Sequence, residues 1–199
     1  EDSLAGSFSY TEPNFAYTDK SLTSRFSSSK TDKLSAYGYE NKLNSLEFST
    51  FYEQYDDFYI SPSISLRHEN LSTNSTASEQ YNKQKGKFFD LTIPYGLSYD
   101  KRDNVYQTKS GYLSKFNQEL PLLSSNPSIS NAYNYKKYFS FNDDFLNSID
   151  FYAKAINSIS NKDVRVSKRT NLSGNRLRGF EVGKIGPIDK DNYVGGNYA

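Results

Sequence analysis

The chain has 199 residues, of which 35% are hydrophobic, and it carries a formal net charge of +1 with no cysteine. No run of about 18 apolar residues occurs, so membrane-spanning helices are excluded, and the lack of cysteine excludes disulfides and thiolate metal sites. The 18 Tyr and 14 Phe distinguish the chain from disordered proteins, which are poor in aromatic residues. The near-neutral charge provides no field that would attract nucleic acid, so no nucleic-acid partner is predicted.

Alternation of apolar and polar residues predicts eight β-strands along the chain. Side chains of a strand point alternately to its two faces, so a period of two indicates one dry face and one wet face. The first two strands are the weakest, and the seventh is irregular because Lys137 shares its apolar face. The residues predicted on the apolar faces are, in chain order, Gly6, Phe8 and Tyr10; Leu22, Ser24 and Phe26; Leu46, Phe48, Thr50 and Tyr52; Phe58, Ile60, Pro62, Ile64 and Leu66; Phe89, Leu91, Ile93, Tyr95, Leu97 and Tyr99; Tyr112, Phe116 and Leu120; Tyr133, Tyr135, Phe139 and Phe141; and Ile149, Phe151, Ala153 and Ala155.

The fifth strand indicates which environment the dry faces meet. Its alternation extends from Phe89 to Asp100, well beyond the ~5–6 residues typical of a globular strand. A tilted strand needs about 9–11 residues to cross a bilayer, which this segment provides. A charge at Lys137 would then face lipid, at a cost of about 2–4 kcal/mol at the midplane and less near the interface. A β-bulge, a shallow position or a snorkelling side chain would each relieve that cost.

The connections between the predicted strands alternate in length. Short turns are expected near residues 13–20, 54–57, 101–110 and 142–144, and long polar loops near residues 31–42, 71–85, 122–131 and 157–192. Short turns on one side and long loops on the other are typical of outer-membrane barrels. The very long last loop and a new strand starting at Tyr193 indicate part of a larger barrel. The predicted fold is therefore an all-β, antiparallel transmembrane β-barrel, partial, with long extracellular loops.

No group of residues predicts catalysis, a cofactor or a metal site. The acidic pairs Asp56-Asp57 and Asp143-Asp144 fall in short turns, where Asp is favoured for its turn-forming hydrogen bonds. The single histidine, His68, lies at a strand end and is expected to be structural. Because neither a nucleophile–base pair nor a phosphate-binding loop occurs, the chain is not expected to be an enzyme.

Residues 176–199 contain three short motifs that carry more information together than separately, namely Arg178-Gly179-Phe180, Gly186-Pro187 and Gly195-Gly196-Asn197. They are similar to the sixth extracellular loop of the BamA family of outer-membrane protein assembly factors. In that family an Arg-Gly-Phe/Tyr tip precedes Gly-Pro, and Gly-Gly-Asn opens the next strand. Leu177 is a conservative departure, since the family often has Val there. The matching residues are Arg178, Gly179 and Phe180; Gly186 and Pro187; and Gly195, Gly196 and Asn197.

Two earlier stretches also resemble this family. Asp100, Arg102 and Asp103 match its Asp-x-Arg-Asp periplasmic hairpin, although the family's usual Pro near Gln107 is missing. Residues 6–15 resemble an earlier strand of the family that ends in a Pro-x-Phe turn. The alternative for the acidic hairpin residues is ordinary turn chemistry, because Asp favours turns in any protein.

The resemblance implies that residues 1–199 are part of a C-terminal transmembrane barrel domain, with about eight strands, the fourth to the eleventh, of a sixteen-stranded barrel. It implies a lid loop at about residues 158–193, with the periplasmic repeats and the remaining strands outside this chain. The implied function is to fold and insert β-barrel proteins in the bacterial outer membrane. The implied partners are outer-membrane lipids, unfolded β-barrel client proteins and assembly-complex lipoproteins.

The resemblance also implies roles for the tip of the lid loop. The family's loop folds back into the lumen, where Arg178 would pair with acidic residues on strands beyond Ala199. A guanidinium is always charged and suits bidentate carboxylate pairing. Gly179 would let the backbone turn sharply or approach the wall closely, and Phe180 would pack as an anchor. The alternative for Arg178 is a solvated loop charge.

Three other classes of protein stay open. A two-partner secretion or related translocation barrel of the same superfamily shares the Arg-Gly-Phe/Tyr loop but has a different number of periplasmic repeats. The spacing of Gly-Pro and Gly-Gly-Asn favours the assembly factor over that alternative. A passive porin predicts no dedicated loop motif. A soluble β-sandwich or adhesin predicts that the apolar faces pack against each other.

Overall fold

The computed structural model describes residues 2–18, 20–142, 145–174, 176–181, 184–190 and 192–199. Eight long strands follow one another, and a two-residue hairpin lies in the last loop. The strands are β1 (Asp2–Glu12), β2 (Ser21–Lys33), β3 (Tyr39–Tyr55), β4 (Phe58–Thr73), β5 (Gly86–Asp100), β6 (Gly111–Ser124), β7 (Ser128–Asn142), β8 (Phe145–Ser158), β9 (Ile188–Asp189) and β10 (Asn192–Tyr193). The helical segments are α1 (Glu79–Lys83) and two 3₁₀ turns, Phe15–Tyr17 and Val166–Lys168.

The eight long strands form one antiparallel sheet in sequence order from β1 to β8. Each strand pairs with the next along the chain, as short connections favour. The predicted all-β, eight-stranded antiparallel arrangement is therefore confirmed, and the sheet is open. No helix within the described residues is long and apolar enough to cross a membrane.

The register places apolar residues in continuous rows on one face of the sheet. Phe26 pairs with Leu46, Leu46 with Leu66, and Leu66 with Leu91, so the row crosses four strands. Much of this face is uncovered, and the Phe8 side chain is 70% exposed. Contiguous apolar surface of this extent is rare on monomeric soluble proteins, so this face is suited to lipid.

The opposite face is polar and is called the inner wall below. Ser65 and Thr92 are both 1% exposed on it. Arg67 and Glu119, on strands β4 and β6, form an ion pair with an N–O distance of 2.9 Å. These residues fall on the faces that the alternation predicts to be wet. Side chains alternate between the two faces of a strand, so the position of one residue fixes the face of every second residue after it.

Two of the predicted long loops are shorter than expected. The loops placed near residues 31–42 and 122–131 shrink to turns at 34–38 and 125–127, because the flanking strands continue through the polar residues. Beside the first of these turns, Lys30 of β2 and Glu40 of β3 form an ion pair at 2.8 Å. The hydrogen-bonded strand pairs therefore extend beyond the rows of apolar residues, into polar segments that hydrophobic alternation does not predict to be strands.

Lys137 lies on the apolar face, as the sequence predicts, and its side chain is exposed. It pairs with Tyr112, the second residue of β6, and so lies near the end of the sheet that carries the short turns. The register of β7 and β8 shifts only between Ser140 and Asn142, beyond Lys137. Of the three alternatives, the structure therefore shows a shallow position without a bulge at the lysine itself.

The final residues begin to extend the sheet. The Ile156 N–H donates to the Asn197 carbonyl at 2.8 Å, and the Lys154 N–H donates to the Ala199 carbonyl at 2.8 Å. Residues 197–199 therefore lie along the far edge of β8. Pairing with β8 begins at Asn197 and not at Tyr193, where the sequence predicts a new strand, because Tyr193 pairs with Ile188 within the loop. The acidic pair Asp143-Asp144, which the sequence predicts in a short turn, lies outside the described residues.

Candidate functional site

The lid loop leaves β8 and returns to it through a narrow neck. The Thr170 N–H donates to the Gly196 carbonyl at 2.8 Å, and the Gly196 N–H donates to the Thr170 carbonyl at 2.9 Å. Gly195 has φ +69° and its Cα faces the Thr170 carbonyl, so a Cβ there would lie 3.0 Å from that oxygen. A left-handed backbone and this close approach both favour glycine.

Arg165, at the beginning of the lid loop, is buried against the inner wall with 2% of its side chain exposed. Its Nη1 donates to Glu69 Oε2 at 3.0 Å, and its Nη2 donates to Asp90 Oδ2. The guanidinium carbon also lies 4.6 Å from the centre of the Phe88 ring. One planar cation thus bridges two carboxylates and packs on an aromatic face, which suits arginine better than lysine.

The sheet brings the two carboxylates together because Glu69 and Asp90 lie on the inner faces of paired strands. Arg67 is the cross-strand partner of Asp90, so Glu69, two residues further along β4, shares the inner wall with it. Ser167 donates its hydroxyl to Glu69 Oε2 at 3.0 Å, and Ser124 donates to Asp90. These hydroxyls hold both carboxylates in place for Arg165.

Lys168 adds a second cation to this cluster, with its Nζ 3.3 Å from Asp90 Oδ2. Burial lowers the pKa of Lys168, and the neighbouring charge of Arg165 lowers it further. Two cations and two carboxylates make the cluster formally neutral, which is the condition under which buried charges are tolerated. The arrangement fastens the loop to the wall.

The predicted tip residues lie away from this cluster. Arg178 is exposed and forms no ion pair within the described part of the chain, and Phe180 is 61% exposed. Gly179 has φ +87° with open space around its Cα. The acidic partner that the resemblance implies for Arg178 lies beyond Ala199, so that pairing stays a prediction.

The Gly-Pro and Gly-Gly-Asn motifs come together although they are separated in sequence. The Val194 N–H donates to the Pro187 carbonyl at 3.0 Å, next to the β9–β10 hairpin. Gly186 has φ +119°, and Gly195 and Gly196 form the neck with Thr170. Asn197, the last residue of the motif, begins the pairing with β8.

The acidic hairpin forms a braced turn between β5 and β6. Arg102 donates to Asp100 through Nε at 2.8 Å and Nη2 at 2.6 Å. Asp103 accepts the N–H groups of Asn104 at 2.9 Å and Lys109 at 3.0 Å. Desolvation raises the pKa of Asp103, but these backbone donors and that of Ser110 outweigh it and lower the pKa. The hydrogen bonds of Asp103 are those of turn chemistry, and a family-specific role of Asp100, Arg102 and Asp103 stays a prediction.

No sequence pattern predicts a site formed by Arg165, Glu69 and Asp90. Alternation places Asp90 on a wet face, but no local pattern marks Arg165, which is 75 residues away in sequence. Val164 and Val166 flank Arg165 and are both buried in the structure, but that burial cannot be read from the sequence. No cluster of three or more His, Asp or Glu side chains among the described residues could hold a metal ion.

Comparisons with known proteins agree with this architecture. No curated protein matches the chain. A solved structure described as the crystal structure of BamA from Haemophilus ducreyi lacking POTRA domains 1-3 matches with a TM-score of 0.83 and 21% identity. The match covers 99% of this chain and 43% of that one, and at this identity it shows the fold alone. The family profile described as the Omp85 superfamily domain matches residues 1–199, and the chain therefore belongs to the Omp85 superfamily, whose members are outer-membrane barrels.

Proposed function

We propose that this chain forms the wall and lid loop of a barrel that folds and inserts other β-barrel proteins into the bacterial outer membrane. The observation that carries the proposal is the buried Arg165, which fastens the lid loop to the inner wall through Glu69 and Asp90. A solvated surface loop would not bury a guanidinium against two carboxylates. Membership of the Omp85 superfamily and the motifs at the loop tip support the same function.

The proposed function is non-enzymatic and uses strand pairing. Unpaired strand edges readily recruit further strands, so a weakly closed seam can act as a template for an incoming barrel protein. Strands β1 to β8 pair continuously, and residues 197–199 lie along the far edge of β8. In the proposal these strands are therefore the stable wall, and the seam lies elsewhere in the barrel. The proposed partners are outer-membrane lipids, unfolded β-barrel clients and assembly-complex lipoproteins.

A translocation barrel of the same superfamily is the alternative function. The spacing from Gly186-Pro187 to Gly195-Gly196-Asn197 favours the assembly factor, and the two loop segments contact each other in the fold. The number of periplasmic repeats in the full-length protein would distinguish the two. Secretion of a soluble partner protein, with client barrels unaffected, would identify the translocation barrel.

The proposal is tested by replacing Arg178 in the full-length protein. Cells whose only copy carries Arg178→Ala are expected to contain less of the folded form of other outer-membrane barrels, because the acidic wall residue that the resemblance implies as its partner would lose its cation. The variant's own barrel should still fold, as judged by its heat-modifiable migration on a gel. Lys162→Ala is the matched control, since Lys162 is another exposed cation of the same loop. Normal levels of folded client barrels in Arg178→Ala would overturn the proposal.

A further inference from the structure

A second arginine of the lid loop contacts the inner wall at a different place. Arg176 Nη1 lies 3.5 Å from Asp150 Oδ1, and its guanidinium carbon lies 3.8 Å from the centre of the Tyr152 ring. Both partners belong to the inner face of β8. This contact is separate from the Arg165 cluster, which binds β4 and β5.

The receiving side chains are held ready by the neighbouring strand. Asn134 of β7 donates its amide to Asp150 Oδ1 at 2.7 Å and to the Phe151 carbonyl at 3.2 Å. Asn134 is the cross-strand partner of Tyr152, so the ring and the carboxylate flank one amide. The carboxylate pairs with the charge of a guanidinium while the aromatic ring stacks on its plane. A lysine ammonium has no plane and cannot make both contacts in this way.

We infer that Arg176 is the positioning residue of the lid-loop tip, and that it holds Arg178 beside β8 for a partner outside the described strands. The inference deepens the proposed assembly function and rests on it. Thr170, in the neck, precedes Arg178 by eight residues, and such a segment can span about 27 Å. Arg176 precedes Arg178 by two residues, which limits the distance between their Cα atoms to about 7 Å. The neck alone therefore leaves the tip free to move, whereas the Arg176 contact confines it.

The local backbone strengthens this confinement. The Arg176 and Leu177 N–H groups both donate to the Ser173 carbonyl, at 2.9 Å and 3.3 Å. The backbone that precedes the tip is therefore hydrogen-bonded up to Leu177, the residue next to Arg178. Gly179 then provides the left-handed backbone at which the chain turns away.

The test measures how mobile the tip is in the full-length protein, in detergent and in a background without other cysteines. A spin label at Glu181→Cys reports immobile and mobile fractions of the tip by electron paramagnetic resonance. Arg176→Ala is expected to lower the ratio of docked to undocked tip by roughly 5- to 30-fold, from loss of one ion pair and one cation–π contact. Arg176→Lys keeps the charge but not the planar stacking, so an intermediate ratio is expected. Lys162→Ala should leave the spectrum unchanged.

Exchanging the charges of Arg176 and Asp150 distinguishes a direct ion pair between them from a general structural role of either residue. Asp150→Arg alone should mobilise the tip, and Asp150→Arg combined with Arg176→Asp should restore part of the immobile fraction. An unchanged spectrum in Arg176→Ala, or no recovery in the exchanged pair, would overturn the inference. Client assembly in the Arg178→Ala variant is a separate readout, so a failure of the proposed function appears there and not in these spectra.

Discussion

Arg165 keeps a permanent charge at a position that almost no solvent reaches. Glu69 and Asp90 balance it, Phe88 covers one face of its guanidinium, and Lys168 balances the remaining carboxylate charge. The stabilisation of such a cluster depends on every member, because the loss of one leaves the others buried without a partner. The residue is therefore expected to be much more sensitive to substitution than the exposed Arg178.

Removal of Arg165 should be the most damaging single change in the lid loop. Arg165→Ala is expected to lower the free energy of unfolding by about 3–5 kcal/mol, since Glu69 stays buried without its cation and Asp90 keeps only Lys168. Urea unfolding of the full-length protein in detergent micelles measures this change. The exposed control Lys162→Ala should stay within about 0.5 kcal/mol of the parent protein. A loss in Arg165→Ala no larger than that of the control would contradict the buried cluster.

Asp103 should make the turn between β5 and β6 sensitive to acid. Its pKa is lowered in the folded state, because backbone N–H donors outweigh the desolvation that raises it. A carboxyl of this kind contributes stability above its unfolded-state pKa and loses it as the pH falls through its folded-state pKa. Asp103→Asn should therefore speed hydrogen exchange of the turn amides at neutral pH, and the difference should vanish in acid. A difference that persists in acid would contradict this role, and Asp56→Asn is the matched control.

At the scale of the strands, the sequence predicts which face of each long strand is apolar, but it does not predict where the strands end. Alternation is a local property, so Phe89 and Leu91 can be assigned to one face before any pairing is known. The ends at residues 34–38 and 125–127 depend instead on backbone hydrogen bonds among polar residues. Such residues read as loop in a hydropathy pattern, although they continue the ladder.

Cysteine scanning along β5 tests the assignment of its two faces. Cysteines at Phe89, Leu91, Ile93, Tyr95 and Leu97 should react with a lipid-soluble label in the membrane, because these side chains share the apolar face. Cysteines at Thr92 and Ser98, on the inner face, are the matched controls and should react several-fold less. Equal labelling of both sets would show that the apolar face is not the lipid-facing one.

For the whole molecule, the candidate site could not be derived from sequence because it exists only after the sheet has formed. Arg165 meets Glu69 across 96 residues and Asp90 across 75. The register of β4 and β5 decides whether these two carboxylates are neighbours, and neither local propensity nor alternation sets that register alone. The tip motif was visible in the sequence because its residues are close together. The wall residues that contact the loop could not be identified in the same way, because they lie on different strands.

The neck between Thr170 and Gly196 divides the lid loop into a base that is fixed to the wall and a segment whose length can change. Its paired hydrogen bonds close the base of the enclosed segment, and Arg176 and Asp189 attach that segment to β8 and to the connection between β4 and β5 at two further points. Each doubling of a closed flexible segment costs only about 0.6 kcal/mol of closure entropy. Residues could thus be inserted between the tip and the β9–β10 hairpin with little effect on the barrel wall. The neck makes the lid loop a module whose length can diverge while its attachment points stay constant.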